Sequence, residues 1–142
     1  MISQQKKSKT LHIALWIVQA LVALVFIGTG LFKSVTPIPT LAGMWPWAGE
    51  YPNLLRLTGV IDLCGGIGIV LPALTRIKPE LTVLAALGCA VLLMCAIGFH
   101  LSRGEAANTP FNLVMLALVL FVFWGRRMKA PINPRGKAGS LA

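Results

Sequence analysis

The chain has 142 residues, of which 56% are hydrophobic and 12% are charged, and its formal net charge is +9 at pH 7. About a quarter of the residues of a soluble domain are charged, so this composition predicts an integral membrane protein rather than a water-soluble globule. The basic residues lie beside apolar runs and not on a hydrophilic face, which argues against nucleic acid as a partner and favours the lipid bilayer.

Four apolar runs are long enough, or nearly long enough, to cross about 30 Å of hydrocarbon as helices. They predict an all-α, integral-membrane four-helix bundle at residues 11–125, between a basic N-terminus at 1–10 and a basic tail at 126–142 that is expected to be disordered. The runs are 11–32, 54–74, 81–101 and 111–124. Because the fourth run is short, we expect Arg126 and Arg127 to extend from its end to the lipid headgroups.

Lysine and arginine are distributed unevenly between the two predicted sides of the membrane. Ten of the 13 fall on the side that carries both termini, and the other three are Lys33, Arg56 and Arg103. Because positively charged loops are retained in the cytoplasm, both termini are predicted to be cytoplasmic. The chain is accordingly predicted to lie in the cytoplasmic (inner) membrane, with the long loop at 33–53 facing outward.

Polar side chains converge at the outer ends of the predicted spans. An intramembrane carboxylate is usually functional, and Asp62 needs a cationic or hydrogen-bonding partner there. Pairing with His100 would allow proton exchange near physiological pH. In the simpler alternative, these side chains only anchor helix ends at the headgroups. The predicted polar intramembrane site comprises Asp62, His100, Lys33, Arg56 and Asn112.

Small residues recur beside the polar ones at steps of three and four. Gly59, Asp62 and Gly66 fall on one face of the second span, a similar face of the third span carries Ala86, and Gly30 lies near the end of the first span. Small side chains let helices approach closely in lipid. We therefore predict that these four small residues pack helix against helix, and that Asp62 points into the bundle.

Neither a metal site nor a catalytic residue is predicted. His12 and His100 fall at opposite membrane faces, and no histidine and carboxylate pair has the spacing of metal ligands. No nucleophile, base and orienting group occur together either. Whether the chain is an enzyme is therefore left open.

Three segments together resemble the DoxX-like family of small four-helix membrane proteins: "VFIGTGLFKSVTPIP", "LRLTGVIDLCGGIGIVLPALTRI" and "LLMCAIGFHLSRGEAANTPFNLVMLALVLFVFWGR". Gly30 and Lys33 fit the family's Gly-x-x-Lys at the end of the first helix. Gly59 and Asp62 fit its Gly-x-x-Glu, with aspartate in the glutamate position, and His100 fits the histidine that ends its third helix. Aspartate is one methylene shorter than glutamate, so a bridge to Lys33 or His100 can require an intervening water.

The resemblance implies quinol-linked or thiosulfate-linked redox chemistry, or membership of membrane complexes that handle oxidative or thiol stress. The leading prediction is therefore an accessory, quinone- or thiol-redox-associated membrane component. Its candidate cofactor is quinone. Its candidate partners are a membrane-associated redox enzyme and further copies of itself. The second prediction is a structural or assembly subunit that anchors a partner without chemistry of its own. The third is a small proton- or cation-coupled transporter.

Overall fold

The computed structural model describes residues 2–136, and within that range the chain is helical with no strand. The helices are α1 (Ile2–Val35), α2 (Ile38–Met44), α3 (Pro46–Glu50), α4 (Pro52–Thr75), α5 (Glu80–Ser102) and α6 (Thr109–Trp124). A 3-10 turn at Ala106–Asn108 precedes α6, and a π-helical turn at Gly125–Lys129 continues it. Met1 and residues 137–142 of the predicted terminal segments lie outside the described residues.

Four helical segments are long and apolar enough to cross a membrane, and they confirm the predicted all-α membrane bundle. They are Gln5–Val35, Pro52–Thr75, Glu80–Ser102 and Ala106–Lys129. Large apolar side chains such as Leu24, Leu84 and Val114 are exposed along them, as expected for surfaces that meet lipid. The two turns that flank α6 lengthen the fourth segment to 24 residues, so it has the length to span that its apolar run alone lacks.

The long helices pack in sequence, α1 against α4, α4 against α5 and α5 against α6, with α1 also contacting α6. We call the end of the bundle that carries His12 and the π-helical turn the terminal end. The opposite end, which carries Lys33, α2 and α3, is the loop end. Between them lies an apolar core of buried side chains from α1, α4, α5 and α6. Its members are Val22, Phe26, Ile69, Ala86, Cys89, Ala90, Leu93, Met115, Val119 and Val122.

The predicted outward loop folds into α2 and α3, which cover the loop end. Each of these short helices has a proline in its first turn, where the missing N–H is not needed. Leu41, Trp47 and Ala48 are buried against Leu55 at the start of α4. This second apolar cluster holds the loop on the bundle.

The described part of the C-terminal tail contacts the end of α4. The backbone N–H of Arg135 donates to the Arg76 carbonyl at 2.7 Å, and Arg76 Nε donates to the Asn133 carbonyl at 2.9 Å. Arg76 itself has a left-handed backbone with φ 57°, where α4 stops. These bonds place residues 133–135 beside the α4–α5 connection.

Candidate functional site

An ion pair joins α1 to α4 near the loop end. Lys33 Nζ donates to Asp62 Oδ2 at 2.8 Å, and the side chains are only 18% and 8% exposed. Asp62 occupies the buried face of α4 together with Gly59 and Gly66, because steps of three and four residues fall on one side of a helix. The carboxylate therefore points into the bundle and not at lipid.

Close backbone contact between α1 and α4 lets this pair form directly. A Cβ at Gly30 would lie 2.7 Å from the Gly59 carbonyl oxygen, and one at Gly66 would lie 3.1 Å from the Ala23 oxygen. Glycine at these positions removes the side chains that would separate the helices. The shorter aspartate thus reaches Lys33 without a bridging water.

Arg56 binds the end of α1 rather than Asp62. Its Nη1 donates to the Lys33 carbonyl and its Nη2 to the Thr36 carbonyl, the latter at 2.8 Å. The last carbonyls of a helix have no partner within that helix, so the guanidinium satisfies backbone acceptors that would otherwise be unpaired. Arg56 therefore fixes the segment that carries Lys33.

His100 is paired with a carboxylate that does not belong to the predicted polar site. Its Nδ1 lies 2.8 Å from Glu105 Oε2, and its ring packs edge-on against Trp47 and Phe99. Glu105 sits in the short loop after α5, five residues from the histidine, where the polypeptide turns back. In the structure, Asp62 is therefore paired with Lys33, and Glu105 is paired with His100.

Arg103 connects the two outward loops. Its two terminal nitrogens donate to the two carboxylate oxygens of Glu50 at 2.9 Å each, and its Nε donates to Glu105 at 3.0 Å. The guanidinium also lies over the rings of Tyr51 and Phe99. A two-pronged arginine–carboxylate contact fixes geometry as well as charge, so the α3 end and the α5–α6 loop are held together.

We call the hydrogen-bonded side chains of Glu50, His100, Arg103 and Glu105 the loop network. Its contacts shift the pKa values of Glu50, Arg103 and Glu105. Hydrogen bonding, first from His100 and also from Arg103, lowers the pKa of Glu105 below its ordinary value. Hydrogen bonding from Arg103 likewise lowers the pKa of Glu50 and is the largest cause there. The same bonds raise the pKa of Arg103. Both glutamates are therefore held in their charged form.

Asn112 is bonded locally and does not join either group. Its Nδ2 donates to the Asn108 carbonyl at 3.3 Å, one turn back at the start of α6. The five predicted polar residues therefore divide into one directly bonded pair, one backbone-binding arginine, one histidine in the loop network and one asparagine at a helix start.

One expectation from the sequence is wrong: the Arg126 side chain does not extend from the end of α6 to the headgroups. Its side chain is buried at the terminal end, where Nε donates to Gln19 Oε1 and Nη1 lies 2.9 Å from His12 Nδ1. Gln19 in turn donates to the Ile69 carbonyl at 2.8 Å. Arg127, its neighbour, is exposed as expected. Arg126 lies in the π-helical turn, and its contacts with Gln19 and His12 of α1 hold it against the bundle.

The Lys33–Asp62 pair offers ammonium donors beside a carboxylate acceptor, in a site with little exposure. Such a pair can hydrogen-bond a polar head group and can hold or release a proton. Within residues 2–136, no group of three histidine, cysteine, aspartate or glutamate side chains is arranged to hold a metal ion.

Comparison with known protein families gives a match. The sequence model of the DoxX-like family matches residues 17–122. No curated protein and no solved structure matches the chain. The matched range contains the Lys33–Asp62 pair and the loop network, and it ends before Arg126.

Proposed function

The chain belongs to the DoxX-like family, and from that membership and the buried ion pair we propose that it is an accessory component of a membrane redox system. In this function the Lys33–Asp62 pair binds a quinone head group and exchanges protons with it. Four helices able to span a bilayer make it a small integral membrane protein.

The observation that carries this proposal is the burial of the ion pair. Charged groups are costly to retain among membrane helices, and those that are retained usually mark a functional site. Interhelical polar contacts in membranes contribute only about 0.6 kcal/mol on average. Stability alone is therefore a weak reason for α4 to carry Asp62 in its buried stripe.

The chemistry of the pair suits a quinone. A quinone carbonyl accepts hydrogen bonds, which the Lys33 ammonium can donate, and a quinol hydroxyl donates them, which the Asp62 carboxylate can accept. Reduction of a quinone takes up two electrons and two protons. The pair would relay protons, while the electrons would come from a membrane-associated redox enzyme bound to this subunit.

The proposed orientation places this site towards the outer surface. Nine of the ten basic residues assigned to the terminal side lie within the described range: Lys6, Lys7, Lys9, Arg76, Lys78, Arg126, Arg127, Lys129 and Arg135. Positive charge of this kind is retained in the cytoplasm. The loop end, with the Lys33–Asp62 pair, would then face outward from the inner membrane.

Quinone titration in lipid nanodiscs tests the proposal. We expect decylubiquinone to quench tryptophan fluorescence saturably in the wild type and in Glu50→Gln, which removes a carboxylate from the same end. In Asp62→Asn only the linear quenching caused by partition into lipid should remain. Identical titrations for wild type and Asp62→Asn would remove the proposal.

A second candidate function, a structural subunit that anchors a partner, is favoured by the loop network. Arg103 ties Glu50 to Glu105, so the loop end presents a surface of fixed shape that a partner protein could bind. Pull-down of the full chain in mild detergent distinguishes the two functions. A partner that is retained equally by wild type and Asp62→Asn, with no saturable quinone binding to either, would favour the structural function.

A further inference from the structure

A cavity of about 660 Å³ opens at the terminal end, between the start of α5 and the π-helical turn. Its walls combine apolar side chains with a few polar ones, and it lies at the opposite end of the bundle from the Lys33–Asp62 pair. Among the residues that line it are Thr82, Leu84, Leu87, Phe123, Arg126 and Ile132. No step of the proposed function uses this cavity.

Two of the residues that line the cavity each have a buried polar atom with no hydrogen-bond partner among the described residues. The two atoms are Thr82 Oγ1 and Arg126 Nη2, from side chains whose residues are 0% and 2% exposed. A buried donor without a partner costs about 1–3 kcal/mol, and more when it is charged. Two such atoms, in residues from different helices that line the same cavity, indicate that a ligand supplies the missing acceptor.

The charge of Arg126 indicates an anionic acceptor. Its other contacts are all to neutral groups: Gln19 Oε1, the Ala130 carbonyl at 3.1 Å, His12 Nδ1 and the face of the Trp16 ring. None of the ion pairs in the described range involves Arg126. A buried charge without a counter-ion is strongly unfavourable, and guanidinium binds phosphate and carboxylate well.

The apolar wall indicates that the anion carries a hydrocarbon chain. Leu84 and Leu87 line the cavity and are also exposed on the surface of α5 that meets lipid. An acyl chain could therefore lie along α5 while its head group reaches Arg126. Arg127 also lines the cavity and adds positive charge, against one exposed carboxylate, Glu80.

We propose that this cavity binds an anionic phospholipid, with the phosphate oxygens accepting hydrogen bonds from Arg126 Nη2 and Thr82 Oγ1. The lipid would come from the leaflet that surrounds the terminal end. Phosphate is the shared chemistry of a lipid head group and a free ion, and the apolar side chains of Leu84 and Leu87 in the wall favour the lipid.

Native mass spectrometry of the delipidated full chain in detergent tests this site, with phosphatidylglycerol as the probe. We expect the wild type to retain phosphatidylglycerol in preference to phosphatidylcholine. Thr82→Val keeps the shape of the side chain and removes only the hydroxyl, and it should weaken phosphatidylglycerol binding about tenfold. Its lipid-free melting temperature should be unchanged or higher, because an unpaired buried hydroxyl is lost.

Arg126→Lys provides a second variant that keeps the charge and loses the fork of donors, so it should also bind phosphatidylglycerol more weakly. Arg135→Gln removes a charge at the same end, outside the cavity, and should bind it as the wild type does. Equal affinity of wild type and Thr82→Val would overturn the proposal. Inorganic phosphate that stabilises the wild type as much as phosphatidylglycerol does would also overturn it, because the site would then belong to a free anion. Displacement of the lipid by decylubiquinone would overturn it too, because the site would then belong to a quinone.

Discussion

Lys33 Nζ lies 2.8 Å from Asp62 Oδ2 across the interface between α1 and α4, within one helical turn of the close backbone contact at Gly30 and Gly59. The partners come from different helices, so this bond can only form when α1 and α4 are correctly registered. Breaking a buried pair by removing one partner leaves an uncompensated charge, whereas replacing both partners by apolar side chains is often neutral.

We therefore predict that Lys33→Met destabilises the protein by about 3 kcal/mol, and that Lys33→Met combined with Asp62→Leu restores most of that loss. Reversible unfolding in mixed micelles measures the free energy of unfolding of the wild type, of the single variants Lys33→Met and Asp62→Leu, and of the double variant. A loss in the double variant equal to the sum of the two single losses would show that the two side chains contribute independently, and would contradict the pairing.

Gly30→Ala should destabilise the bundle by about 1–3 kcal/mol. The added methyl would lie 2.7 Å from the Gly59 oxygen and 2.9 Å from the Leu63 nitrogen, and both are backbone atoms that cannot move aside alone. Gly28→Ala is the matched control on the same helix, since nothing lies within 4 Å of its added methyl. Thermal unfolding in detergent should separate the two variants, and similar melting temperatures would contradict the close contact.

Arg56→Gln should loosen the end of α1. The substitution removes the donors that bind the carbonyls of Lys33 and Thr36, so the last turn loses partners for its backbone acceptors. Hydrogen exchange measured peptide by peptide should rise at residues 33–38 and stay constant across α5. A uniform rise over the whole bundle would instead indicate global destabilisation.

Lowering the pH should break the contacts of Glu50 and Glu105 that hold the loop end together. Because the folded-state pKa values of Glu50 and Glu105 are lowered by hydrogen bonding, their contribution to stability is complete above the ordinary glutamate pKa of about 4.3. It is then lost as the pH falls through the lowered values. Trp47 fluorescence, followed from pH 7 to pH 3, should report the transition, and Glu105→Gln should reduce its amplitude. A transition of unchanged amplitude in that variant would exclude Glu105 as a contributor.

Reporter fusions test the proposed orientation. A reporter active only outside the cytoplasm should be silent when fused after Gly136 and active when inserted at Gly104 in the α5–α6 loop. The physical reason is the concentration of basic residues at the terminal end. The reverse pattern would place the Lys33–Asp62 pair at the cytoplasmic surface.

Local spacing was sufficient to predict the buried face of α4. Gly59, Asp62 and Gly66 follow helical steps, and the structure buries all three on one side. Apolar length likewise predicted the four spans, because a membrane imposes one dominant requirement on each of them. These features depend on residues that are close in the sequence.

Contacts that depend on the path of the chain between helices were not predictable in the same way. Glu105 lies in a loop, so helical spacing gave no reason to pair it with His100, and Glu50 lies 53 residues from Arg103. Arg126 follows an apolar run that looks too short to span. That pattern favours a side chain at the headgroups, and no local signal pairs Arg126 with Gln19, which lies 107 residues away in the chain.

The backbone contact at Gly30 and Gly59 also bears on how the molecule could change shape. Because an ion pair and two opposed glycines lie within one turn of each other, sliding of α1 along α4 would break several contacts at once. If binding at either end changes the structure, we therefore expect the hairpin of α5 and α6 to move relative to the pair of α1 and α4.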